Sequence, residues 1–189
     1  MNLQESLQRI KEIMDIEDLL PEKPDYSLFN EEWLSKLNVD GDYVKLYHYG
    51  PSGLEYLDPE NFGKNRYSMS EQWWGKKRIF FYTDLKDKER FVGGQLYEVK
   101  VKLSDLYPFN TDPLNLYDFA VKKWGYEDVP VRWQIIYISN MLEKIGYKGM
   151  IYRWTGSSLL AVIWEKIKIL DYKPSDIVYN AGRIDPSKF

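Results

Sequence analysis

The chain has 189 residues with 26 basic and 29 acidic side chains, so its formal net charge is −3. That balance argues against a nucleic-acid surface, which needs a concentrated positive field. With no cysteine and a single histidine, His48, the chain has no disulfide, thiolate nucleophile, Cys-ligated metal or two-His metal motif. Without an Asp-rich loop of EF-hand spacing, no metal is expected. Seven Trp, sixteen Tyr and eight Phe make the chain 16% aromatic. Such side chains suit either a β-rich core of large residues or a half-wet cleft. The length fits one domain with room for an appended helix.

Residues 2–20 read as an amphipathic helix. Leu3, Leu7, Ile10 and Met14 fall at four-, three- and four-residue spacing, and Pro21 and Pro24 stop the pattern. We therefore read residues 1–24 as an N-terminal amphipathic helix with a Pro-containing linker, and 25–189 as a single domain. The stripe packs on its own domain or on a protein target or assembly partner. The segment lacks the basic start and apolar run of a secretory signal, and no window approaches a membrane span, so no membrane association is expected. The expected location is the cytoplasm or a particle assembled there.

Asn30 to Leu37 reads as a short helix with Asn30 as its cap, followed by a turn at Asp40-Gly41. Tyr43 to Tyr49 alternates as a strand, with Val44, Leu46 and His48 on one face. It ends at Gly50-Pro51-Ser52-Gly53, where the backbone can approach another group closely. Residues 59–77 form a long irregular stretch containing Arg66, Trp73 and Trp74. Ile79 to Thr83 is a buried-strand run, 84–92 a short helical pattern, and 95–103 a strand built around Leu96, Val99 and Val101. Residues 104–130 read as loop with a short helix over 114–124. Val131 to Ile145 is a helix ending at Gly146, and 149–153, 159–164 and 166–170 are strands. Without a regular βαβ rhythm, the fold class is α+β.

Four segments in this order resemble the ADP-ribosyltransferase fold, in the clade of diphtheria toxin and the poly(ADP-ribose) polymerases. Leu46-Tyr47-His48-Tyr49-Gly50 is similar to the strand-end His-plus-Gly motif. Arg78 to Asp84 resembles the second-motif strand, and Glu89-Arg90-Phe91-Val92 its following helix. Leu142 to Tyr152 resembles the helix, Gly-Tyr-x-Gly turn and strand. Val162 to Leu170 resembles the closing strands. The resemblance implies two small antiparallel sheets forming a split cleft with flanking helices, and NAD as the ligand. The opening MNLQESLQRIKEIM resembles the openings of phage-encoded proteins, which would add the host cytoplasm or a virion as locations.

The reaction so implied breaks the nicotinamide–ribose bond, building positive charge on the ribose that the protein must stabilise. By resemblance, His48 holds a ribose, the backbone at Tyr49 and Gly50 borders the nicotinamide, Tyr82 and Phe91 supply aromatic surface, and Arg66 with Ser68 or Ser70 lies along the polar parts. An alignment on Thr83-Asp84 puts Phe81 in place of Tyr82; a one-residue slip reverses the strand face, so both cannot hold the family position. The family's catalytic Glu falls near Ser157 to Leu159, where Ser158 stands and no acid is present. The chain is thus read as an NAD-dependent mono-ADP-ribosyltransferase or a degenerate relative. A non-catalytic structural or interaction protein, such as a virion component or inhibitor, is the alternative, with His48 as a hydrogen-bonded core histidine.

Overall fold

The computed structural model describes residues 20–61, 78–85, 95–124, 131–153 and 159–173. The expected N-terminal helix with its Leu3, Leu7, Ile10 and Met14 stripe lies outside the described residues, as does most of the 84–92 pattern.

Asn30 opens α1 (Glu31–Leu34), accepting the Trp33 backbone N–H at 3.0 Å and so satisfying an orphan donor of the first turn. β1 (Val39–Asp40) and β2 (Tyr43–Gly50) form a hairpin whose turn uses Gly41 at φ +60°. Then come β3 (Tyr56–Leu57), β4 (Ile79–Tyr82), β5 (Gln95–Lys102), β6 (Leu106–Pro108), α2 (Leu116–Trp124), α3 (Val131–Ile145), β7 (Gly149–Arg153), β8 (Leu159–Ile163), β9 (Ile167–Lys168) and β10 (Asp171–Lys173). Helix α3 ends as its pattern requires: Gly146 takes φ +100° and the Tyr147 N–H bonds to the Leu142 carbonyl at 2.9 Å.

The chain is α+β. Where two small antiparallel sheets were expected, the described strands form one eight-stranded sheet in the order β10-β5-β2-β4-β8-β7-β6, with β1 beside β2, and a separate β3–β9 pair. β4 joins what would be two halves: Tyr82 pairs with Tyr47 of β2 on one side and Leu160 of β8 on the other. Ile79 to Tyr82 is hydrophobic on both faces, which suits a strand covered above and below. The β6–β7 pair is parallel, joined by the crossover that carries α2 and α3.

Strand register divides the large residues between two cores. On one face, Val44, Leu46, Phe81, Tyr97, Val99, Ala161 and Ile151 pack with Phe29, Trp33, Leu37 and Leu57. On the other, Tyr107, Met150, Tyr152 and Val162 lie under Leu116 and Ala120 of α2 and Ile138, Met141 and Leu142 of α3. Arg78, 3% exposed, ties α3 to the sheet: its guanidinium reaches Glu143 at 3.3 Å and lies 5.0 Å from the Trp164 ring centroid. The linker is held by Lys23, which meets Asp105 at 2.6 Å, while Lys148 takes the same carboxylate at 2.8 Å.

Candidate functional site

His48 sits near the end of β2, between β5 and β4. It is paired with Tyr97 in register, and its ring centroid lies 5.6 Å from that of Phe81. Its Nδ1 is 2.8 Å from the Phe80 carbonyl oxygen. A carbonyl only accepts, so Nδ1 carries the proton and Nε2 is the acceptor nitrogen of the neutral ring. The residue is 9% exposed, and burial pulls its pKa below the ordinary histidine value against the opposing pull of the Phe80 hydrogen bond. This is a neutral, oriented imidazole whose Nε2 lies buried.

The Nε2 edge faces Gly50. A Cβ placed on Gly50 would lie 3.4 Å from both Nε2 and Cδ2, and 3.6 Å from a Leu54 methyl. Tyr97, fully buried, reaches the turn that follows. Its hydroxyl donates a hydrogen bond to the Pro51 carbonyl and accepts the Leu54 N–H at 3.2 Å. Both hydrogen-bonding roles of that phenol are thereby used in holding residues 51–54.

Register settles the choice between Phe81 and Tyr82. Tyr97, His48, Phe81 and Ala161 form a row across one face of the sheet. Tyr82 pairs with Tyr47 and Leu160 and points to the opposite face, and Tyr49, paired with Leu96, does the same. The structure thus brings His48, Gly50 and Phe81 together and separates them from Tyr49 and Tyr82. Phe81 has no exposed surface, so it packs and orients the imidazole rather than presenting a ring to a ligand. Arg66, Ser70, Phe91 and Ser158 lie outside the described residues. Thr83 donates its hydroxyl to the Leu159 carbonyl at 2.9 Å, fixing the start of β8 against the end of β4.

The sequence pattern points to Leu96 for the β5 core face, whereas the structure places Tyr97 there. The buried set is Tyr97, Val99 and Val101, a regular alternation once Tyr is counted as a core residue; Leu96 is on the other face. The charges between them are satisfied, Glu98 lying 3.8 Å from Lys45 and Lys100 2.6 Å from Asp40.

Among the described residues no group of three or more His, Asp or Glu is placed to hold a metal ion, and no helix is long and apolar enough to cross a membrane. No protein-family model, curated protein or solved structure matches this chain.

Proposed function

We propose that this chain is an ADP-ribosyltransferase-like protein that binds NAD in a site reached from the end of β2. Transfer of ADP-ribose to a macromolecular target would be weak or lost, because no acid stands at the Ser158 position. One observation carries the reading. The segments that resemble the family are scattered from residue 46 to residue 170, yet they fall on β2, β4, the end of β8 and β7, which are consecutive neighbours in the large sheet, with His48 and Gly50 on β2. A neutral imidazole fixed through Nδ1 keeps Nε2 as its acceptor; that atom lies buried beside Gly50, so a ribose hydroxyl would reach it only once the turn that follows opens. Without a carboxylate to stabilise the developing ribose charge, binding outlasts turnover.

The test is titration of the full chain with NAD, followed by calorimetry or Trp fluorescence. Saturable binding is expected, weakened at least ten-fold in His48→Ala, the scale of roughly 1.4 kcal/mol for one lost hydrogen bond to a positioned group. No binding at millimolar NAD removes the proposal.

A second reading is favoured by the depth of His48. At 9% exposure, with its ring against Phe81, it also fits a core histidine in a structural or interaction protein that keeps the fold as scaffold. That reading expects removal of residues 1–20 to abolish assembly while a folded monomer persists, as judged by light scattering and circular dichroism. Unaltered assembly of the truncated chain counts against it.

A further inference from the structure

We propose that the Pro51–Leu54 turn is a cover over the Nε2 edge of His48, and that the Tyr97 hydroxyl is the clasp that keeps it shut. The proposal rests on the NAD reading only for the identity of the ligand.

The cover is short and exposed. Pro51, Ser52 and Gly53 are all solvent-facing, and the segment is bracketed by Gly50 and by Gly53 at φ +81°, so its two ends can absorb a backbone rotation. Leu54 turns inward against the core that contains Tyr97, close to the Gly50 Cβ position beside the imidazole. Among the described residues one side chain outside the turn hydrogen-bonds to it, and it does so at both ends: Tyr97 Oη to the Pro51 carbonyl and the Leu54 N–H to Tyr97 Oη. The same Tyr97 is the cross-strand partner of His48. The residue that flanks the ring in the sheet thus also sets the position of the backbone that borders it. Tyr97 acts through the turn and is a positioning residue.

Loss of one phenol oxygen removes two hydrogen bonds while keeping the buried ring. At ordinary strengths, two such bonds favour the closed turn by about ten-fold or somewhat more. His48 is the single histidine, so diethyl pyrocarbonate, read as N-carbethoxyhistidine absorbance and reversed by hydroxylamine, reports on this imidazole alone. In Tyr97→Phe the carbethoxylation rate is expected to rise about ten-fold, with the Leu54 amide losing hydrogen-exchange protection by a similar factor and the amides of β4 and β8 unchanged. Gly50→Ala is the opposing variant. Its methyl meets the imidazole edge at ordinary contact distance, so the rate should fall below that of the parent chain in a protein that still folds.

An unchanged modification rate in Tyr97→Phe, or one that rises only together with loss of protection throughout the sheet, overturns the clasp. Titration with NAD separates the two ideas. If the clasp variant gains histidine reactivity but neither protein binds NAD, the ligand assignment fails and the cover stands. If NAD binds and protects His48 from the reagent equally in both proteins, with equal rates in its absence, the cover fails and the ligand assignment stands.

Discussion

The lone histidine makes the pH dependence of stability a direct measure of how the fold treats His48. In the unfolded chain the imidazole protonates near its ordinary pKa of about 6.5. In the folded chain burial lowers that pKa, and the Phe80 carbonyl offsets part of the effect. The unfolded state therefore binds more protons in this range, so stability rises with pH and is lost as pH falls below about 6.5. The ceiling comes from the unfolded chain: if the folded ring stays neutral throughout, going from about pH 7.5 to about pH 5.5 costs ~1.4 kcal/mol. For a chain of this size, with a urea slope of about 2 kcal/mol/M, the midpoint would move down by ~0.7 M. Urea unfolding at the two pH values measures this, and His48→Gln, which cannot titrate, gives the carboxylate background to subtract. Equal pH slopes in the parent and the Gln variant, or a parent that gains stability on acidification, would refute the buried, neutral imidazole. The candidate site would then have to be rebuilt around a solvated His48.

Other outcomes follow from particular contacts. Gly149→Ala places a Cβ 2.5 Å from the Val162 carbonyl oxygen and 3.0 Å from a Leu106 methyl, between two paired strands that cannot part cheaply; we expect a loss of ~3 kcal/mol and a Tm lower by about 6–12 °C in a calorimetric scan. Asp112, at φ 41°, uses its carboxylate to take the Leu116 and Tyr117 N–H groups at 3.0 and 2.8 Å and the buried Tyr107 hydroxyl, so Asp112→Ala should cost ~2 kcal/mol in chemical denaturation and Asp112→Asn distinctly less. Phe81→Leu should shift the His48 imidazole resonances while Tyr82→Phe leaves them in place; the reverse result would put Tyr82 on the histidine face.

Local signals identified the elements that carry their own punctuation. The Asn30 cap, the Asp40-Gly41 turn and the α3 stripe closing on Gly146 all appear where the residues place them, because capping and chain reversal are satisfied within a few residues. β6 is not legible in the sequence because three residues, Leu106 to Pro108, have too short a pattern to show a period; their parallel pairing with β7 exists only because α2 and α3 carry the chain back. β10 is hidden for the same reason: the strand pattern ends at Leu170, and Asp171 to Lys173 is fixed by pairing with Leu96 to Glu98. At the site, the strand-end His48-Gly50 pair was visible in order and composition, whereas the role of Tyr97 depends on a turn 43 residues away in the chain.

The amino-acid order alone established an α+β domain with one imidazole, no thiol chemistry and a glycine beside that imidazole, because composition and short-range periodicity need no knowledge of distant partners. Only the tertiary structure decided which aromatic shares the histidine's face. That choice turns on the strand register between β2 and β4, where one residue reverses the side chain, and register is set by the pairing of segments more than thirty positions apart.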